Sequence, residues 1–207
     1  MSESSANINE EIDEKRIFHN ALTKRIAATG IFIAVGLILS AFNPFGYFLI
    51  AGTKINPFAH LINAITGVLI GFTFSCITAL GIASLRFSIG IGTIHAFHGG
   101  ISGAVVVGTL SFLFRRKFPR FVEFAAFLEP IGTIFIGGTI GQLIMPIGDL
   151  FAIEGYLTYW GLFAMASIPG SLMGYIILSV LEKTGISWED FFTREAPTEI
   201  HTDNVKH

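Results

Sequence analysis

The sequence predicts an all-α integral membrane protein, a bundle of six transmembrane helices with both termini cytoplasmic. Three observations carry that expectation. Of 207 residues, 52% are hydrophobic and only 14% charged, with a mean hydropathy of +0.66; soluble domains carry about 25% charged residues. Long apolar stretches alternate with short polar breaks. The positive charges are also one-sided: if the chain crosses six times, 11 of its 13 Lys and Arg lie on one face, which marks the cytoplasmic side. Lys54 and Arg86 are the two that fall elsewhere.

Residues 1–24 form a polar, acid-rich cytoplasmic arm whose second half reads either as a surface amphipathic helix or as a disordered tail. It lacks the short basic start and apolar core of a cleavable signal, so the first span is expected to direct insertion. The membrane domain covers 25–182. Span 1 is 25–42, closed by Asn43-Pro44. The segment NPFGYFLIAGTKINP that follows is too apolar for a solvated loop and reads as a lid or a partly inserted segment. Residues 57–87 are almost wholly apolar; one helix of that length would run ~46 Å through a hydrocarbon core of ~30 Å. Two shorter, tilted spans meeting near Gly71 fit better, and they keep Arg115, Arg116, Lys117 and Arg120 on the basic side. Span 4 is then 97–114, span 5 is 121–144 and span 6 is 158–181, with an outer connection over 145–157 whose charges are all acidic. Residues 183–207 form a polar cytoplasmic tail. Glycine pairs at i, i+4 (Gly67/Gly71, Gly99/Gly103, Gly137/Gly141, Gly170/Gly174) favour close helix packing. A looser stripe of Ala27, Gly30 and Ala34 on span 1 is a candidate contact with another membrane protein.

Ionisable groups at membrane depth cost ~2.5–3.5 kcal/mol on insertion scales and face a cavity or a partner. His60 and Asn63 share one helical face just after Asn56; they contact a ligand or bond to neighbouring helices. Arg86 closes span 3. It needs an anionic or carbonyl partner if it is buried, or it snorkels to the interface. The run from Gly90 to Gly100 carries Thr93, His95, Phe97 and His98 among glycines, and irregular backbone at this depth lines a cavity or is buried in protein. Phe97 can stack on a planar ring. His95 and His98 have the i, i+3 spacing of two metal ligands, but no Cys or carboxylate stands nearby in sequence. Glu129, followed by Pro130 and Thr133, pairs with Arg86 or a His, or contacts a ligand. Gln142 is a further polar group of span 5. Tyr156, Tyr159 and Trp160 form either an interfacial aromatic belt or a pocket wall.

The sequence has no G-x-x-x-x-G-K-[ST], H-E-x-x-H or G-x-S-x-G, so the chain is not expected to hydrolyse ATP or act as an enzyme, and no cofactor is expected. A net charge of −2 gives no nucleic-acid signal. An intramembrane enzyme using His and Glu129 would bring a nucleophile or a metal set, and a sensor would bring a soluble output domain.

The segments K-I-N-P-F-A-H-L-I-N-A-I-T-G-V-L-I-G, L-R-F-S-I-G-I-G-T-I-H-A-F-H-G-G-I-S-G-A and E-P-I-G-T, in that order, resemble the ThiW-type proteins over about residues 25–181. These are substrate-binding (S) components of energy-coupling factor (ECF) transporters, associated with uptake of the thiazole precursor of thiamine. The resemblance implies a six-helix S-component bundle in the cell membrane that binds a small molecule near the outer face. It then reorients on a transmembrane coupling protein served by two ATPase subunits. It also implies substrate-binding roles for Asn56, His60, Asn63, Arg86, Thr93, His95, Phe97, Glu129 and Thr133, with His98 and Trp160 as further candidates. Where such proteins often carry a Phe-Pro-Gly turn, this chain reads Phe97-His98-Gly99, which adds a hydrogen-bonding group. In that family the first helix typically docks through Ala-x-x-x-Ala; the nearest match here is Gly30-x-x-x-Ala34. Another vitamin, or a transition metal held by His95 and His98, is the alternative ligand.

Overall fold

The computed structural model describes residues 3–44, 49–50 and 53–192, with side chains over 15–44 and 54–192. Part of the expected lid, and the tail beyond Phe192, lie outside the described residues.

Helix α1 (Glu3–Ala41) is continuous over 39 residues, so the acidic arm and the first span form one rod of about 58 Å at 1.5 Å per residue. A small antiparallel ribbon follows, β1 (Leu49–Ile50) with β2 (Thr53–Lys54). Helix α2 (Pro57–Leu69) starts on Pro57, whose missing N–H would have been unpaired at a first turn anyway. It ends at Gly71, whose φ of 81° and ψ of −179° belong to a region that only glycine enters freely. The turn leads into α3 (Phe72–Ser88), so the apolar stretch divides where the sequence placed the division. Helix α4 spans His95–Lys117.

The fifth pass is wound unevenly. Tight 3-10 turns cover Pro119–Leu128, a wide π-helical stretch covers Ile131–Gly137, and α5 (Gly138–Ile144) completes it. Pro130 lies between the first two; it has no N–H to give and its ring crowds the preceding turn, so the ladder must change register there. Helix α6 (Ile153–Lys183) and the short α7 (Glu189–Phe192) close the fold.

The chain reverses at each connection. Lys54 Nζ donates to the Gly90 carbonyl at 3.4 Å, which sets the start of α2 beside the end of α3. A Cβ on Gly71 would meet Phe192 and Arg115, which sets the α2–α3 turn beside the ends of α4 and α7. Among the described residues, six helical passes therefore run between two ends. One end gathers basic and aromatic groups. Arg115 lies 4.0 Å from the Phe192 ring, and Arg25 lies 4.8 Å from Phe192 and 5.1 Å from Phe74. Arg115 also donates to Ser111 Oγ at 3.1 Å and to the Val68 carbonyl at 3.4 Å. The other end holds Lys54, Arg86 and the start of α4.

Helix α2 is the axle of the bundle. Twelve of its 13 residues are buried, packed by α1, α3, α4, α6 and the segment 119–128. Among the described residues, four helical stretches are long and apolar enough to cross a membrane: Lys15–Ala41, His95–Lys117, Pro119–Ile144 and Ile153–Lys183; α2 and α3, with 13 and 17 residues, are shorter. A helix enclosed by others need not match the lipid thickness along its own length. Large apolar side chains such as Ile31, Phe112, Ile136, Ile168 and Ile176 are exposed along the outer helices, an extent a soluble monomer does not carry.

The paired glycines face inward. Gly67 abuts Val107, Gly137 abuts the Gly99 backbone, and Gly170 and Gly174 sit on Pro57 and Ala64 of α2. The span 1 stripe differs: Ala27, Gly30 and Ala34 are exposed, and a Cβ at Gly30 would meet nothing within 4 Å. Gly71→Ala is therefore expected to cost about 1–3 kcal/mol of stability through its backbone region, whereas Gly30→Ala is near neutral. Thermal unfolding of both variants in detergent checks the contrast.

Candidate binding site

A small cleft opens at the end opposite the basic cluster, lined by Lys54, Asn56, Ala59, His60, Arg86, Thr93, His95, Ala96, Gly99, Gly100, Phe163 and Ala166. It sits where α2 begins, α3 ends and α4 begins. The irregular strand 89–94 is pinned by Ile91 N and Gly92 N, both donating to the Arg86 carbonyl at 3.0 and 2.9 Å. A Cβ on Gly92 would press on the Arg86 backbone at 3.1 Å, so glycine is what lets this segment fold back over Arg86.

Of the residues singled out in the sequence, Asn56, His60, Arg86, Thr93 and His95 line the cleft. Glu129, Asn63 and Thr133 lie behind it as a buried network. Glu129, with no exposed surface, receives three groups on Oε1: His60 Nδ1 at 2.9 Å, Thr133 Oγ1 at 2.8 Å and Asn63 Nδ2 at 3.4 Å. Asn63 Nδ2 also donates to the Gly100 carbonyl at 2.8 Å, and Thr133 Oγ1 lies 3.1 Å from the Gly99 carbonyl. The carboxylate thus pairs with a histidine and not with Arg86. The network fixes the His60 ring from behind, and His60 is the side chain of this set that also faces the cleft.

Several polar atoms around the cleft are buried with no hydrogen-bond partner. Asn56 Nδ2 donates to Ser40 Oγ at 2.8 Å, while Ser40 gives its own proton to the Gly36 carbonyl at 2.7 Å. The amide orientation is therefore settled, and Asn56 Oδ1 is left bare. His95 Nε2 and Arg86 Nε are bare too. Arg86 is 5% exposed, and among the described residues no carboxylate lines the cleft. Buried polar groups are ordinarily satisfied; three at this cleft are bare, as are Arg25 Nε and Glu129 Oε2, which do not line it.

The remaining candidates sit elsewhere. Phe97 meets Phe87 edge-on at 5.7 Å, and Trp160 donates to Thr139 at 3.2 Å and packs on Phe135; neither lines the cleft, whose aromatic wall is Phe163. His98 lies behind His95, its Nε2 2.9 Å from His95 Nδ1 and its Nδ1 2.7 Å from the Gly137 carbonyl. Tyr159 is buried, donating to the Met145 carbonyl at 2.7 Å, and Gln142 ties down the 145–152 connection through the Ile147 and Asp149 carbonyls. Among the described residues no three His, Cys, Asp or Glu side chains converge as a metal set. Lys54 and Phe163 are not among the binding residues expected from the sequence. Lys54 had a signal, since it and Arg86 are the two cations outside the basic groups, and both line this cleft.

A bundle of long apolar helices enclosing a small polar cleft defines a multi-pass membrane protein built to hold a small molecule. The family model described as thiamine-precursor transporter protein (ThiW) matches residues 26–184; the chain belongs to that family. No curated protein and no solved structure matches the chain.

Two glycines of α4, three residues apart, separate packing from cleft. A Cβ on Gly103 would overlap the Glu129 carboxylate and Thr133, whereas Gly100 is buried with nothing within 4 Å of its Cβ position. Gly103→Ala is expected to lose about 1–3 kcal/mol by overpacking, and Gly100→Ala to leave stability nearly unchanged. Parallel melting curves check both.

Proposed function

We propose that this protein is the membrane-embedded substrate-binding subunit of an ECF-type uptake transporter, taking up hydroxyethylthiazole, the thiazole precursor of thiamine. The carrying observation is the cleft with its bare Asn56 Oδ1, His95 Nε2 and Arg86 Nε. The thiazole ring lies against Phe163, its nitrogen accepts from Arg86 or Lys54, and its hydroxyl meets Asn56 or a histidine. Thr93 and His60 complete the wall, and Asn63, Glu129 and Thr133 hold His60 in place.

All six passes cross the bilayer, with the Arg25 and Arg115 end cytoplasmic, as the positive-inside rule requires, and the cleft outside. The exposed stripe of Ala27, Gly30 and Ala34 docks on the transmembrane coupling protein. Two partner ATPases power reorientation, while this chain itself catalyses nothing.

Equilibrium binding to the purified protein in detergent tests the ligand, with thiamine, its pyrimidine precursor and Ni²⁺ or Co²⁺ alongside. Tight binding of hydroxyethylthiazole alone is expected. Arg86→Ala should weaken it by about 10- to 100-fold, the scale of a hydrogen bond to a charged donor. Preference for a metal or another vitamin overturns the thiazole assignment. Docking has its own check. Gly30→Trp fills no internal space, so it should leave thiazole affinity intact while abolishing uptake and co-purification with the coupling protein; unimpaired uptake refutes this face.

A further inference from the structure

We infer that His98, which does not line the cleft, sets the tautomer of His95 and so makes the site selective for a thiazole alcohol with its hydroxyl free. The ligand half of this inference rests on the thiazole reading above; the tautomer half stands on geometry alone.

The chain of hydrogen bonds can be followed one proton at a time. The Gly137 carbonyl can only accept, so His98 Nδ1, 2.7 Å away, carries a proton and donates it. A neutral His98 then has a bare Nε2. That nitrogen lies 2.9 Å from His95 Nδ1, so His95 Nδ1 must be the donor. A neutral His95 protonated on Nδ1 presents a lone pair on Nε2, the atom that is buried without a partner in a residue lining the cleft. The opposite direction requires His98 to be an imidazolium. No carboxylate contacts either ring: the neighbours of His98 are His95, Phe163, Gly137 and Gly141, and His95 packs on Tyr159 at 5.2 Å. A cation there would be buried without a counter-charge.

The relay is braced at its far end. Gly137 packs against Gly99, and a Cβ on Gly141 would meet the His98 ring at 3.1 Å. His98 is thus wedged between α4 and the fifth pass and cannot swing away. The cleft consequently offers acceptors at His95 Nε2 and Asn56 Oδ1, and donors at Arg86 and Lys54. A ligand suited to it gives a hydrogen bond at one end and takes one at the other. We assign the hydroxyl proton to His95 Nε2. A site built around such an acceptor rejects an analogue that cannot donate, because the lone pair is then left buried and unpaired. His98 is a positioning residue: it acts on the ligand through His95.

The test has two arms. In the first, nitrogen NMR of the ¹⁵N-histidine-labelled protein without ligand reads which ring nitrogens carry protons, the signals being assigned by loss in His95→Gln and His98→Phe. A bare Nε2 and protonated Nδ1 on His95 are expected; a protonated His95 Nε2 overturns the inference. In the second, hydroxyethylthiazole is compared with its O-methyl ether, which keeps the ring and the oxygen but cannot donate. The protein should favour the alcohol by at least about 10-fold, and in His98→Phe that ratio should collapse toward one as His95 becomes free to present an N–H. A merely structural role for His98 lowers both affinities together and keeps the ratio, which overturns the assignment. If His98→Phe does not fold, the unsubstituted protein still decides: equal affinity for alcohol and ether refutes selectivity. Failure of both ligands to bind overturns the thiazole reading separately, and the nitrogen spectrum still decides the tautomer.

Discussion

The fold turns on one buried carboxylate. Glu129 sits inside an apolar bundle where neither water nor lipid can satisfy it, so its hydrogen bonds have to come from neighbouring helices. They come from His60 and Asn63 on α2 and from Thr133 one turn along its own pass. For those groups to converge, α4 must run very close between them, and it does so through Gly99, Gly100 and Gly103. The carbonyls of the first two take part in the network, and the third makes room for the carboxylate itself. Pro130 sits between Glu129 and Thr133, whose i, i+4 spacing on one pass lets the Thr133 hydroxyl reach the carboxylate. Glu129 Oε2 remains without a partner.

The two ends of the bundle treat the same residue type in opposite ways. Arg115 is saturated by a hydroxyl, a carbonyl and aromatic faces, as a structural arginine should be. Arg86 is buried with a bare Nε beside a cleft that contains no acid. Both are long cations on apolar helices, Arg86 buried and Arg115 half-buried. A bare nitrogen alone does not separate the ends, since Arg25 Nε at the basic end lacks a partner too; what the Arg86 end adds is the bare Asn56 Oδ1 and His95 Nε2 beside it.

The gross architecture could be read from the sequence because hydropathy, helix length and charge bias are one-dimensional signals. The split near Gly71 followed from length and from keeping Arg115, Arg116, Lys117 and Arg120 on the basic side. Arg86 and Lys54 stood out because their charges fell outside the basic groups. What could not be read was rotation. A helix apolar on every side has no period to say which face turns inward, so Phe97 and Trp160 looked as suitable for a pocket wall as Phe163, which forms it. The direct and supporting shells were likewise indistinguishable: Asn63, Glu129 and Thr133 announce themselves as polar groups at depth, yet nothing in their spacing shows that they stand behind His60. The irregular winding around Pro130 makes that worse, since residues on either side of a π-helical stretch no longer obey a 3.6-residue period.

The histidines carry the last step of the argument. His60, His95 and His98 are the same chemical group, and each can donate, accept or bind a metal. Their second nitrogens separate them. His60 is backed by a carboxylate, His95 by another imidazole, and His98 by a backbone carbonyl. The carbonyl is the one partner of the three whose role is fixed, because it has no proton to give. That certainty passes outward from Gly137 to His98, from His98 to His95, and from His95 to the cleft. A backbone atom of the fifth pass thereby determines which hydrogen-bonding face α4 shows to the cleft.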